Sequence, residues 1–263
     1  MDSFYVEEFS VEDTRKELMQ IVDFFRSQPY HEDAMRIIAQ EERKLPMSII
    51  DEAKVFFVSE DLVPADYPEW MRLPSYGFMT SYGECKYFGR LVYPVFDTTG
   101  NVMGFCGWDK FAPDHGLPKY LDSKNYGYKA KETTLYGMEH IAEYYNDNKP
   151  VFVTEGIVDS LWLRSEGFHA MASLGSYLTP YVLQILSRFG NRLVVIPDND
   201  EAGNSFVRQC KYKLPKARVL QAKVGKDVDG MRKYDDGIYL QRVLTDLRNC
   251  TNPFARMDIF IVR

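Results

Sequence analysis

The 263-residue sequence is short of several things, and each shortage excludes a class of protein. No apolar run reaches the roughly 18 residues that a membrane-spanning helix needs. The opening stretch, MDSFYVEEFSVEDTRKEL, has no apolar core and carries acids early, so a secretory signal is not expected. Cysteine is scarce, with only Cys85, Cys106, Cys210 and Cys250, and none forms a C-x-x-C pair. The four histidines (His31, His115, His140, His169) show no metal-ligand spacing with them, so a zinc ribbon or finger is not expected. With no export signal, reduced thiols and a cytoplasmic location are the expectation, the host bacterial cytoplasm if a phage encodes the chain. Excess positive charge is also absent. The net charge is −6, whereas an abundant nonspecific duplex-DNA binder is usually basic, so any nucleic-acid contact is expected to be local.

What is present suits a globular chain with an ample core, 45% hydrophobic and 27% charged, folded as one large domain or two small ones. Residues 10–44 read as helix, with Leu18, Ile21, Val22 and Phe25 at helical spacing and an interruption at Pro29. Pro46 opens a short helix carrying Ile49, Ile50 and Ala53, and prolines 64, 68 and 74 make 60–80 an irregular connector. From Arg90 the pattern changes to period two. Residues 90–97 read as a strand, Thr98-Thr99-Gly100-Asn101 as a hairpin turn, and 102–108 as the returning strand. Residues 111–134 are loop-rich and hold Lys119, Lys124, Lys129 and Lys131.

Residues 150–223 alternate strand and helix. Apolar strands are expected at 151–154, 169–172, 192–196 and 217–222, with helices at 157–166, from Thr179-Pro180 through Arg188, and at 202–213. This is an α/β pattern, a mainly parallel sheet with helices on both faces, whose ligands belong at the carboxyl ends of the strands. Acids fall at those ends. Glu155 follows the first strand, Asp159 lies in the next helix's first turn, Asp198 and Asp200 follow the third strand, and Asp227 and Asp229 repeat that spacing after the fourth. Two residues apart in extended chain, a pair of carboxylates leans to one side. An isolated Asp-x-Asp in a chain with 38 acids is an ordinary solvated loop, and Asp159 alone an ordinary helix-start residue. Five or six carboxylates meeting on one sheet edge would repel one another, and a hard divalent cation such as Mg²⁺ or Mn²⁺ relieves that repulsion.

The stretches Val153-Thr-Glu155-Gly-Ile-Val-Asp159 and Ile196-Pro-Asp198-Asn-Asp200-Glu-Ala-Gly203 resemble the Toprim domain of DnaG-type primases, topoisomerases and certain nucleases. Gly89-Arg90 through Gly107 is similar to the strand pair that precedes Toprim in DnaG-type primases. Pro118-Lys119-Tyr-Leu-Asp-Ser123, ending in Leu135-Tyr136-Gly137, is similar to that family's basic block. Ala172-Ser-Leu-Gly175 and the loop carrying Asp227 and Asp229 match as well, so the resemblance runs in order over about 45–235.

The resemblance implies a Toprim-type mainly parallel sheet flanked by helices, preceded by a mixed α+β primase N-terminal subdomain. The expected division is a helical segment at 1–44, that subdomain at 45–148, Toprim at 149–235 and an extension at 236–263. It implies a DNA primase core that makes short RNA primers on single-stranded DNA from NTPs by two-metal-ion nucleotidyl transfer, in phage or mobile-element replication, without the family's zinc-binding domain. Glu155, Asp198 and Asp200 would be catalytic. Together with Asp159, Asp227 and Asp229 they would hold two or more Mg²⁺ or Mn²⁺ ions, and no zinc is expected. Arg90, Lys119 and either Lys131 or Lys129 would contact nucleotide or template, although Arg90 reads equally as a strand-start residue whose stem covers the sheet. Partners would be the single-stranded template, NTPs and a replicative helicase or a separate zinc-binding or helicase-loader protein, with no membrane. Two departures stand out: Asp122 where the family commonly has Asn, and Trp108 where an arginine is often found. A Toprim nuclease and a non-catalytic replication adaptor are the other readings of the same residues.

Overall fold

The structure is a computed structural model, and it describes residues 11–62, 66–72, 78–80, 82, 84–123, 133–220, 225–233 and 238–249. The helical stretch at the start divides at the expected place. Helix α1 (Val11–Arg26) ends before Pro29, and α2 (His31–Ala34) runs on into a wide-turned π-helix, Met35–Glu42. Leu18, Ile21, Val22 and Phe25 are fully buried on one face of α1, and Phe25 stacks on Phe56 with ring centroids 5.2 Å apart. Pro46, in extended conformation, caps α3 (Met47–Glu52).

A first sheet is antiparallel in the order β1 (Phe56–Phe57), β2 (Leu91–Phe96), β3 (Val102–Trp108) and β4 (Tyr120–Asp122). The β2–β3 hairpin closes as the sequence predicts. The Asp97 carboxylate accepts the Thr99 and Asn101 backbone N–H groups at 2.8 and 3.0 Å, and Gly100 takes φ +80°. The period-two pattern has a different meaning from the usual apolar–polar alternation, because every residue of β2 and β3 is buried. Leu91, Tyr93 and Val95 enter one core and Val92 and Phe96 another, so the sheet is covered on both faces.

The second sheet is wholly parallel, in the order β6-β5-β7-β8: β5 (Val151–Thr154), β6 (His169–Ala172), β7 (Leu193–Ile196) and β8 (Arg218–Val219). The fourth strand is shorter than expected: Leu220 continues only through one backbone bond to Val195, and residues 221–222 lie outside those described. Helices α4 (Ile141–Asn146), α6 (Pro180–Ser187) and α7 (Glu201–Lys213) bury Val151, Val153, Leu193 and Val195 on one face. Helices α5 (Ile157–Ser165), α8 (Val228–Lys233) and α9 (Ile238–Asn249) bury Phe152, Val194 and Ile196 on the other. The two sheets share a core in which Tyr93 and Val95 pack with Tyr136, Ile157 and Leu161. An Arg164–Glu52 ion pair joins α5 to α3. No helix among the described residues is long and apolar enough to cross a membrane.

Candidate active site

The register of the parallel sheet builds the site. Thr154 pairs with Ile196 at the carboxyl ends of β5 and β7, so the chain leaves both strands side by side. Glu155 follows at once and Asp198 two residues on, and the Asp198 backbone N–H donates to Glu155 Oε1 at 3.0 Å. Asp200 caps α7, its Oδ1 accepting the Gly203 N–H at 2.9 Å. That turn explains the glycine of the motif: a Cβ at Gly203 would lie 1.8 Å from the Asp198 carbonyl oxygen. Gly156 likewise admits its neighbour, since a Cβ there would meet Asp159 Oδ2 at 2.5 Å.

Asp159 is buried in the first turn of α5, and its Oδ1 accepts the Asp229 N–H at 3.0 Å. Asp227 caps α8 through the Gly230 N–H at 2.6 Å. Asp227 and Asp229 therefore do not form an extended pair like Asp198 and Asp200. Asp229 sits inside the helix turn, and its carboxylate pairs with Arg232 at 2.5 Å.

The carboxylates feel one another. Burial first, then the charges of Asp198 and Asp200, push the Glu155 carboxyl up to about 7. Burial and then Asp227 push Asp159 up to about 8. Burial raises Asp198 too, whereas the Gly203 N–H and then Lys226 lower Asp200. The edge also carries a cation of its own. Lys226 Nζ lies 2.9 Å from Asp200 Oδ2 and 3.4 Å from Asp198 Oδ2. The ammonium thus occupies a cation position between two carboxylate oxygens, hard donors of the kind that Mg²⁺ or Mn²⁺ takes. Among the described residues, no three His, Cys, Asp or Glu side chains are close enough as placed to hold one ion.

The cationic residues divide. Lys119 is exposed beside β4, and its carbonyl accepts the Asp109 N–H at 3.0 Å. Arg90 is only 4% exposed, and its guanidinium donates to the Pro118 and Lys119 carbonyls at 3.0 and 3.3 Å. A direct template contact is therefore not what its geometry offers. Arg90 fixes the loop that presents Lys119, and Gly107 leaves room for its stem, since a Cβ there would lie 3.0 Å from Arg90 Cδ. Lys124, Lys129 and Lys131 lie outside the described residues.

Sequence reasoning missed Arg43, Lys226 and Arg232. Arg43 follows the π-helix, stacks its guanidinium 4.6 Å from the centroid of the Trp108 ring and lies 3.5 Å from the Tyr120 hydroxyl. Burial opposes its charge, but Tyr93, Tyr120, Asp229 and Asp159 outweigh it and raise its pKa. A guanidinium thus stands over the tryptophan found where the resembling family often has an arginine. No periodicity or motif in 1–44 marks Arg43, whereas Lys226 at least adjoins Asp227 in sequence.

A parallel sheet with this acidic carboxyl edge defines the class, a Toprim-type α/β domain, and residues 152–231 match the Toprim-like family. The chain as a whole has the architecture of a DnaG-type primase catalytic core. It is similar to a DnaG primase catalytic domain solved bound to ssDNA, with TM-score 0.69 and 25% identity over 89% of this chain and 79% of that one. It shares its fold with the RNA polymerase domain of Mycobacterium tuberculosis primase DnaG, with TM-score 0.70 and 20% identity over 90% of this chain and 83% of that one. Among curated proteins it is 30% identical to the DNA primase of Clostridium acetobutylicum over 152 residues, covering 55% of this chain and 24% of that protein. It is 35% identical to that of Rickettsia felis over 130 residues, covering 48% of this chain and 21% of that protein. The chain thus spans about a quarter of the length of these relatives.

Proposed function

We propose that this chain is the nucleotidyl-transfer core of a DNA primase, joining NTPs into short RNA primers on a single-stranded DNA template. The observation that carries the reading is the contact between Glu155 and Asp198 at adjoining strand ends, with Asp200 and a seated cation beside them. In the reaction a 3′-hydroxyl oxygen bonds to the α-phosphorus of an NTP, the bond from that phosphorus to the β-bridging oxygen breaks, and pyrophosphate leaves. Glu155, Asp159, Asp198, Asp200, Asp227 and Asp229 would hold two or more Mg²⁺ or Mn²⁺ ions. Ions bound there would supply charge that favours loss of the hydroxyl proton and neutralises the leaving group. Glu155, held at the end of β5 by the Asp198 N–H, would take the hydroxyl proton. Arg43 would offer its guanidinium to the triphosphate, fixed by the Trp108 ring. Lys119, steadied by Arg90, would add a point charge for nucleotide or template, with Lys131 or Lys129 beside it.

The proposal includes work in the cytoplasm, in phage or mobile-element replication, beside a replicative helicase or a separate zinc-binding or helicase-loader protein. A primer-synthesis gel on defined single-stranded templates, with and without a candidate helicase, tests it. Labelled oligoribonucleotides should form from NTPs and Mg²⁺ or Mn²⁺. Absence of product under every condition would overturn the reading. Cleavage of labelled DNA in its place would make the chain a Toprim nuclease, and absence of carboxylate-dependent Mn²⁺ binding would make it an adaptor.

A further inference from the structure

Lys226 is tethered at its base, and its side chain is exposed to solvent. Its carbonyl accepts the backbone N–H of Asn199, the residue between Asp198 and Asp200, at 2.5 Å. The preceding Gly225 takes φ +80°, and a Cβ there would lie 2.6 Å from the backbone of Gly230. The loop backbone is thus locked against the turn that carries both aspartates. The side chain, by contrast, is 59% exposed at the end of a four-carbon stem, and it reaches both carboxylates. Lysine holds such a position as a mobile, strongly hydrated point charge. One ammonium between two carboxylates leaves the pair with a net negative charge, whereas a divalent cation neutralises it. A divalent cation seated between the two aspartates would compete with the ammonium for Asp198 Oδ2 and Asp200 Oδ2, the oxygens that it now holds.

We propose that Lys226 is a displaceable internal counter-cation of the Asp198–Asp200 pair: its ammonium holds the pair together while no metal is bound, and an entering divalent cation expels it. Lys226 thereby tunes metal affinity downward and keeps the acidic turn ordered before loading. This rests on the reading of the acidic edge as a metal site.

Mn²⁺ titrations of the full chain, followed by electron paramagnetic resonance and calorimetry, test it in wild type, Lys226→Gln, Lys226→Arg and Asp198→Asn/Asp200→Asn. Removing a competing, largely exposed ion pair should tighten Mn²⁺ binding about threefold to tenfold in Lys226→Gln. Lys226→Arg, which keeps the charge, should remain near wild type. Thermal melts provide a second readout. Without metal, Lys226→Gln should melt below wild type, and saturating Mn²⁺ should close that gap. Mn²⁺ affinity in Lys226→Gln equal to or weaker than wild type would overturn the proposal, as would a melting gap that persists at saturation. Should the double aspartate variant bind Mn²⁺ as wild type does, the metal-site reading itself falls, and this proposal with it. The double variant isolates that failure from a failure of displacement alone.

Discussion

The acidic edge of the parallel sheet and the cationic side of the antiparallel sheet are assembled by opposite means. Each carboxylate of the edge occupies a position set by its own segment: Glu155 just beyond β5, Asp200 at the cap of α7, Asp227 at the cap of α8. The cationic side gathers Arg43 after a π-helix, Arg90 before β2 and Lys119 before β4, three segments far apart in the chain. One region is local chemistry repeated along a sheet, and the other exists only once the chain has closed. Substitutions should therefore act differently in the two.

The largest expected effect is on the acidic side. Glu155→Gln and Asp198→Asn should each lower primer synthesis by about 10³-fold or more on the gel while the melting temperature holds or rises, because each removes a charge from a crowded edge. If either variant keeps a tenth of wild-type synthesis, the carboxylates are not the reaction centre. Next comes Gly203→Ala, where the new Cβ meets the Asp198 carbonyl rather than a movable side chain. It should destabilise the fold by about 3 kcal/mol in urea melts and displace both aspartates. A smaller effect is expected opposite them. Arg43→Ala should lower synthesis about tenfold to a hundredfold at nearly unchanged stability, and Arg43→Lys should restore little, since an ammonium loses the planar stack on Trp108. Full rescue by lysine would show that charge alone matters there.

The same contrast explains what could be read from the sequence. The β5–α5 and β7–α7 units were legible because apolar runs, a tight glycine and a following acid lie within a dozen residues of one another. The hairpin at Asp97–Asn101 was legible for the same reason. The alternation of β2 was visible, but its meaning was not, because only packing reveals that a second core covers the face usually left to water. The sequence around Arg90 fits template contact and sheet cover equally. Its resolution depends on carbonyls at 118 and 119, which spacing along the chain does not bring near. Asp229 looked like half of an extended pair until the start of α8 turned it toward Arg232. Lys226 belongs to the acidic loop in sequence, yet its reach to Asp198 and Asp200 follows from the parallel order that sets β8 beside β7.

The smallest effect separates the regions by pH. Glu155 is held up to about 7 and Asp159 up to about 8, in each case first by burial and then by neighbouring carboxylates, against ordinary values of 4.5 and 3.8. Between those limits the folded chain binds more protons than the unfolded one, so stability falls as pH rises. The contribution is complete below about pH 4 and is lost as pH passes through 7 and 8. Asp200, whose pKa is lowered by the Gly203 N–H and Lys226, acts in the opposite sense, and only at pH values below this window. Arg43, whose pKa is raised, stays charged throughout and adds no slope. Metal-free protein should therefore melt about 3–5 °C lower at about pH 8.5 than at about pH 5.5. Asp159→Asn should flatten that slope, because the amide oxygen can still accept the Asp229 N–H while carrying no charge. A slope unchanged from wild type in both Asp159→Asn and Glu155→Gln would place its origin outside the acidic edge, and the two regions would then differ in position but not in electrostatic character.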